Sequence, residues 1–406
     1  MLIQLDKSIE QDLFRNLHNL NENSLEVRAI NNLAIAYRNG WHIIIGPLRI
    51  LKLIKNLEHI DKSTKLVFDE LINDYTFQKS YKDLVEEFIL VKGLDGEPKR
   101  IENENETSYY YEAPLNYFNI VTRCFRSTLL CEDESDYDFY NKLVKKYIKE
   151  NKEISGVDIC FSSSNGGGVN AYKALERGIN ESRNPILAIA DSDMKYPNSS
   201  EGQTLKKLKQ KENQYMSTNI IEVYPLQVRA KENLIPPSLY LLGTGNSYKN
   251  HLKKLELIEK LNSEQLLYFN IKDGYKVKHF KDLRFMEYYK NIFLEVDDLI
   301  SCSIEEIDKK TDDDEIVVNG AKGIVEKFTY YFLENGIEQE LQSKKRLSNP
   351  SPQLLSVISE MEAILEKKEN LFNNLPEYIL EVILDLCKKI ISWGCSKGNT
   401  YGTLGA

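Results

Sequence analysis

Two short apolar runs, each closed by acidic residues, organise the hydrophobic pattern of this chain. Thr128, Leu129, Leu130 and Cys131 lead into Glu132, with Asp136 four residues on. Pro185 to Ala190 lead into Asp191, Ser192 and Asp193. Apolar runs this short, bounded by polar residues, predict fully buried strands of a parallel sheet. Around them the pattern alternates. A helix is expected over 135–149, where Phe139, Leu143, Val144, Tyr147 and Ile148 form one stripe, and then a strand over Val157–Phe161. A loop from Ser162 to Gly168 opens a helix from Val169 to about Arg177. The strand at 185–190, a polar insertion from Tyr196 to Asn219 and a last strand from Ile220 to Tyr224 complete the series. Such alternation predicts an α/β fold with right-handed crossovers. Ligand sites of open parallel sheets lie beyond the carboxyl ends of the strands, so both acidic motifs are expected at that edge.

The flanks read differently. Residues 1 to about 92 show helical spacing, as in Leu25, Ile30, Leu33, Ala34 and Tyr37 after Ser24, with Gly40 as a stop. Trp41 to Ile45 is a brief apolar run, either a strand or the start of a buried helix. Gly93 to Thr107 reads as a loop or boundary, with a surface hairpin as the alternative. Helical patterns dominate again from Pro237, and two helices, about 353–368 and 376–393, are expected to finish the fold before a frayed tail from Gly398 to Ala406. The expected division is a helical region over 1–107, a central α/β region over 120–250 and a mostly helical region over 251–406.

A formal net charge of -9 excludes a protein that is basic all over, yet the charge is segregated: residues 203–290 carry 16 Lys or Arg against 9 Asp or Glu. That balance admits a local anionic partner. Tyr268, Phe269, Tyr275, Phe280, Phe285, Tyr288 and Tyr289 interleave the basic stretch. They suit either a stacking platform for single-stranded nucleic acid or the buried face of amphipathic helices. The six cysteines include no CxxC, and no histidine stands near one at zinc spacing, which points to buried thiols in a reducing compartment. No apolar run reaches the roughly 18 residues of a membrane span, and the amino terminus lacks a signal-peptide pattern. A cytoplasmic protein without a membrane partner is expected.

Carboxylates at the ends of neighbouring strands suit a hard divalent cation. Mg²⁺ keeps several waters and takes one or two carboxylates, and a pair of such ions stabilises the attacking and leaving oxygens of a phosphodiester. Plainer readings stand beside this one. Asp133, Glu134 and Asp136 suit a helix start, where acidic residues complement the dipole, and Asp191-Ser192-Asp193 suits a strand-end turn. Gly166, Gly167 and Gly168 suit either a phosphate approached by backbone N–H groups or a tight turn. Lys195 is placed to neutralise a phosphate or is simply a surface lysine. The acidic run Asp312 to Glu315 reads as a solvated loop. The five histidines are scattered and support no triad or zinc site, and the lone Gly243-Thr244-Gly245 carries no nucleotide argument.

Taken together, the segment Leu129 to Asp136, the turn Gly166 to Gly168 and the segment Ile189 to Asp193 resemble the TOPRIM domain shared by topoisomerases, primases and several nucleases. The order of strands and helices matches as well. Downstream, Arg229 to Pro236, with Glu232 and Asn233, resembles the Arg-x-x-Glu-Asn segment of TOPRIM nucleases of the overcoming-lysogenisation-defect type and related bacterial defence effectors. Asp133 stands where the family usually has glycine. No Walker A pattern is present, so an ATPase, where one is needed, is a separate protein.

The resemblance implies a central TOPRIM-like, Rossmann-like βαβαβ parallel sheet and Mg²⁺-dependent (or Mn²⁺-dependent) cleavage of DNA or RNA in anti-phage defence. Glu132, Asp191, Asp193 and Glu232 would be the catalytic metal ligands, with Glu132 alternatively a general base. Lys195, Lys206, Lys207, Lys209, Lys211, Arg229 and Lys231 would hold the nucleic acid, and a separate ATPase or sensor protein is a further expected partner. Two alternatives stand: primase- or topoisomerase-type chemistry on the same metal site, and a non-catalytic nucleic-acid or partner-binding module.

Overall fold

The computed structural model describes the chain except residues 16–19, 94, 103–108, 155, 241–245, 348 and 398–406. The Gly243-Thr244-Gly245 segment and the Gly398–Ala406 tail therefore lie outside the described residues. The chain forms two units. One comprises Met1–Ala190, Gln203–Tyr224 and Leu386–Ala406; the other comprises Asp191–Gly202 and Pro225–Asp385.

The first unit holds two sheets, and the amino-terminal one corrects the helical reading of residues 1–92. Strands β1 (Leu2–Leu5), β2 (Ile43–Ile45), β3 (Ile89–Lys92), β4 (Lys99–Glu102) and β5 (Tyr109–Pro114) lie in the order β2-β1-β3-β5-β4. All pairings are parallel except that of β4 with β5. Helices are present too, among them Leu25–Arg38, Leu48–Lys55 and Lys62–Asn73. Trp41–Ile45 resolves in favour of a strand, and the Gly93–Thr107 segment contributes one arm of a hairpin. The first two strands are four and three residues long and mostly buried. Such runs show no two-residue alternation and merge into neighbouring helical patterns.

The second sheet is the expected central one. Strands β6 (Thr128–Cys131), β7 (Asp158–Ile159), β8 (Ser162–Asn165), β9 (Ile186–Ala190) and β10 (Ile221–Pro225) follow in the chain, and all but β7 build the order β10-β9-β6-β8. β6 runs parallel to both β8 and β9. Helices Ala171–Glu181 and Gln203–Tyr215 bury Leu175, Ile179, Leu205 and Leu208 in one core with Leu130, Ile186, Ala188 and Val223. Two local expectations are displaced. Val157–Phe161 does not supply the sheet strand: β7 pairs antiparallel with Cys395–Ser396, and the serine run 162–165, expected as a loop, pairs with β6 instead. An edge strand draws its stability from the ladder and needs no apolar side chains on its open face. The polar insertion 196–219 contains a helix, Gln203–Tyr215.

Buried polar contacts tie these two sheets together. The Tyr111 hydroxyl donates to the Ile221 carbonyl at 2.6 Å. Nearby, the Lys389 ammonium donates to Glu87, to Glu222 at 2.9 Å and to the Tyr109 hydroxyl, while Trp393 Nε1 donates to Glu87 at 2.9 Å. Glu87, Glu222 and Lys389 are all buried. Arg100 lies over the Tyr109 ring at 3.6 Å, with Glu212 4.0 Å from its guanidinium. Burial pushes the Glu87 carboxyl up to about 7, and the charge of Glu222 adds to the shift against Lys389 and Trp393.

The folded chain thus holds this proton more firmly than the unfolded chain does. The resulting stability is fully present below the ordinary value of 4.5 and is lost as pH rises through about 7. The denaturation midpoint of the wild type, measured relative to that of Glu87→Gln, is expected to fall between about pH 5 and pH 8. A difference that stays constant over that interval contradicts the titration.

The second unit is built on aromatic packing. Phe269, Tyr275, Phe285 and Tyr289 are fully enclosed, and the Tyr275 and Phe285 rings meet edge-on at 4.7 Å. For these residues the buried-face reading holds and a stacking platform does not. A two-stranded ladder joins Tyr275–Lys276 to Ile316–Val318. The acidic run is exposed, as expected of a solvated loop, and also makes surface ion pairs: Asp314 meets Lys276 and Lys278 at 3.2 and 3.0 Å, and Asp313 meets Lys281. These contacts neutralise part of the basic excess. Helices Pro352–Glu369 and Glu377–Gly394 close the fold where expected. Among the described residues, no helix is long and apolar enough to cross a membrane. All six cysteines are free thiols, four of them buried.

Candidate active site

The chain visits β8 before β9, yet β9 and β8 lie on opposite sides of β6. The strand order therefore reverses between β6 and β9, the kind of switch point at which open α/β sheets bind ligands beyond their carboxyl ends. Glu132 follows β6 directly, and Asp191 follows β9 directly.

The glycine turn fixes the backbone at Glu132. Gly166 N–H donates to the Cys131 carbonyl at 2.9 Å and Gly168 N–H to the Glu132 carbonyl at 3.2 Å. Gly167 and Gly168 both adopt φ 62°, and a Cβ on Gly166 would lie 2.3 Å from that of Ala171. Only glycine meets these demands without strain. Two of the turn's N–H groups are thus spent on carbonyls, as a tight turn requires.

Asp133 and Asp136 follow their plainer reading. Asp133 Oδ1 accepts from Ser135 N–H at 2.7 Å and Asp136 N–H at 3.2 Å, and Asp136 Oδ2 accepts from Asp133 N–H at 3.0 Å. This reciprocal cap starts the helix Glu134–Glu150. It also accounts for an aspartate where the resembled family has glycine.

In the second unit, residues 191–193 are laced to 228–231. Asp191 Oδ1 accepts the Lys231 N–H at 3.2 Å, Ser192 Oγ donates to the Val228 carbonyl at 2.7 Å, and Asp193 N–H donates to the Arg229 carbonyl at 2.9 Å. Asp193 sits at φ 54°, a left-handed conformation that aspartate tolerates better than most residues. Gly202 packs directly on its carboxylate, since a Cβ there would come within 2.3 Å of Oδ2.

The lacing delivers Glu232, which is 6% exposed. Its neighbour Asn233 is pinned on both sides of its amide. Its Oδ1 accepts from Ala230 N–H at 3.1 Å, and its Nδ2 donates to the Leu266 and Phe269 carbonyls at 2.7 and 2.8 Å.

Sequence reasoning missed Lys272. Its ammonium lies 3.7 Å from Glu232 Oε1. Partial burial acts to lower its pKa, but the charges of Glu232, Asp191 and Asp273 together outweigh burial and Lys231 and hold it above the ordinary lysine value. The signal available was the irregular piece Phe269–Gly274 between helices, the kind of segment that carries functional residues on a rigid frame.

The expected nucleic-acid residues are placed unequally. Lys206 is exposed on the helix Gln203–Tyr215. Lys211 pairs with Glu176 at 2.7 Å, and the Lys207 ammonium lies 5.1 Å from the Tyr172 ring centroid. Arg229 Nη1 donates to the Met194 carbonyl at 3.3 Å, and Lys231 is buried. The backbone of Lys195 is pinned, its N–H to Ser199 Oγ at 2.8 Å and its carbonyl to the Tyr289 hydroxyl at 2.9 Å. One unit therefore gathers Asp191, Asp193, Arg229, Lys231, Glu232 and Lys272, while Glu132, Lys206, Lys207, Lys209 and Lys211 belong to the other. Among the described residues, no three His, Cys, Asp or Glu side chains gather at metal-holding spacing. Comparison with family models, characterised proteins and solved structures gives no significant match.

Proposed function

We propose that this protein is a Mg²⁺-dependent TOPRIM-type nuclease that cleaves phosphodiester bonds of DNA or RNA. The observation that supports this reading is the acidic residue directly beyond each of the two parallel strands that flank the switch point, Glu132 after β6 and Asp191 after β9. Among the described residues no three carboxylates gather at metal-holding spacing, but the donor chemistry suits the ion: it is hard carboxylate oxygen, and Mg²⁺ takes only one or two carboxylates, leaving other positions to water and phosphate. Asp191, Asp193 and Glu232 would share one or two such ions, which when bound supply Lewis-acid stabilisation of phosphoryl oxygens. Glu132 serves as a further ligand or as general base, and Lys272 neutralises charge on the phosphate. The setting in anti-phage defence rests on the resemblance alone.

The test is cleavage of DNA and RNA panels with Mg²⁺, Mn²⁺ or EDTA. Metal-dependent cutting is expected. Binding without cutting under every condition would favour the non-catalytic module, and strand synthesis or relaxation of supercoils would favour primase or topoisomerase chemistry.

Salt dependence checks the lysine assignment. Changing Lys206, Lys207, Lys209 and Lys211 together to Gln is expected to reduce the slope of log K against log salt by about two to three units, each phosphate contact contributing roughly 0.7–0.9. The loss should fall short of four contacts because Lys211 is already engaged by Glu176. An unchanged slope places the nucleic acid elsewhere.

A further inference from the structure

Of the aromatic residues that interleave the basic stretch, Phe269, Tyr275, Phe280, Phe285 and Tyr289 are enclosed in the second unit, whereas Tyr268 and Tyr288 stay half-buried at its surface. Tyr196, also half-buried, joins them from the segment that follows Asp193. Its ring centroid lies 6.3 Å from that of Tyr288, and the Tyr268 centroid lies 6.5 Å from the same ring. Tyr288 in turn stands edge-on to the enclosed Tyr289 at 4.8 Å. The three rings therefore form an outer layer on a rigid aromatic core.

The chain fixes this layer close to the carboxylates. Ser199 Oγ accepts the N–H groups of Lys195 and Tyr196 at 2.8 and 3.3 Å, and Ser199 N–H donates to the Tyr196 carbonyl at 3.0 Å. Tyr196 stands three residues after Asp193, a backbone reach of at most about 11 Å. That is about three nucleotides at the roughly 3.4 Å rise of a stacked strand.

Positive charge gathers at the same place. The Lys195 carbonyl is held by the Tyr289 hydroxyl at 2.9 Å, and Arg229 spends one N–H on the Met194 carbonyl. Lys195 and Arg229 are half-buried, and among the described residues neither forms an ion pair. Both charges bear on one spot, since burial first, and then Lys195 and Arg229, push the His279 imidazole down to about 4. Aromatic rings stack on any base, and unneutralised cations beside them follow the backbone of a single strand. A duplex keeps its base faces inside its own stack and has none to offer.

We propose that Tyr196, Tyr268 and Tyr288, with Lys195 and Arg229, form a subsite for an unpaired base and its phosphate, so that this unit takes single-stranded nucleic acid in preference to duplex. The proposal rests on the nuclease reading only for the role of the bound strand as substrate, and its test is run in EDTA without cleavage.

The full chain is titrated by fluorescence anisotropy with a labelled DNA or RNA strand, the same strand annealed to its complement, and an abasic strand of equal length. The single strand, as DNA, RNA or both, is expected to bind roughly tenfold or more tightly than the duplex and the abasic strand. Tyr196→Ala and Tyr288→Ala should each weaken it about tenfold, the loss of one stacked base, with circular dichroism confirming the fold. Tyr196→Phe keeps the ring and should retain the wild-type affinity. Lys195→Gln should reduce the slope of log K against log salt by roughly 0.7, one phosphate contact on a single strand, whereas the tyrosine variants should leave that slope unchanged. A single strand bound no better than the duplex or the abasic strand, or binding indifferent to both Tyr196→Ala and Tyr288→Ala, would overturn the proposal even if the protein cuts nucleic acid with Mg²⁺. Tyrosine-dependent binding of a single strand with no cleavage under any metal would instead uphold the subsite and remove the nuclease reading.

Discussion

Replacing Lys389 by Met is expected to destabilise the first unit by about 3–5 kcal/mol, the scale at which removal of one partner strands a buried charge. Lys389 supplies the ammonium shared by two buried carboxylates, Glu87 and Glu222. One Glu222 oxygen already lacks a hydrogen-bond partner among the described residues, and the remaining donor to Glu87, Trp393 Nε1, is neutral. Methionine preserves the length of the side chain and the apolar contacts of its stem, which leaves the charge as the main change. The measurement is the denaturation midpoint of wild type, Lys389→Met and the double variant Lys389→Met with Glu87→Gln. The second substitution should restore part of the loss, because it removes one of the stranded carboxylates. A single variant within about 1 kcal/mol of wild type would show that the cluster is solvated well enough to dispense with its cation.

Asp191→Asn is expected to lower cleavage roughly hundredfold or more, the scale seen when one electrostatic stabiliser is removed from a reaction centre. The fold should survive. Asn retains an oxygen able to accept the Lys231 N–H now held at 3.2 Å, and in EDTA the change relieves repulsion among neighbouring carboxylates. The paired measurement is the cleavage rate at saturating Mg²⁺ and the melting temperature in EDTA. If Asp191 served only as a turn former, loss of its bonds would cost about 0.5–2 kcal/mol with activity retained. A variant that cuts at near wild-type rate and melts several degrees lower removes Asp191 from the metal site.

Several parts of this molecule were legible before any tertiary contact was known. The strands Thr128–Cys131 and Ile186–Ala190 announced themselves because a strand buried on both faces must be apolar throughout and must end where polar residues begin. The two carboxyl-terminal helices were visible from their spacing, since one apolar stripe recurs every 3.6 residues whatever it packs against. The candidate carboxylates were visible for a related reason: acidic residues directly after buried strands stand out against an apolar background.

Tertiary structure decided the rest, wherever a residue's role depends on a partner distant in sequence. Ser162–Asn165 is a strand only because β6 offers it a ladder, and no periodicity marks an edge strand made of serines. The three-residue β2 carries too few positions to show a period and is defined by its register with β1. Asp133 and Asp136 became caps once the helix start was in place. Asn233 became the pin of Glu232 through carbonyls more than thirty residues away. Lys272 stands beside Glu232 across a similar gap in sequence. The charge cluster at Lys389 is the extreme case, with Glu87 302 residues away and Glu222 167 residues away. Hydrophobic burial acts locally enough to leave its period in the sequence, whereas hydrogen bonds and ion pairs are directional and short-ranged, so their partners appear only when the chain has folded.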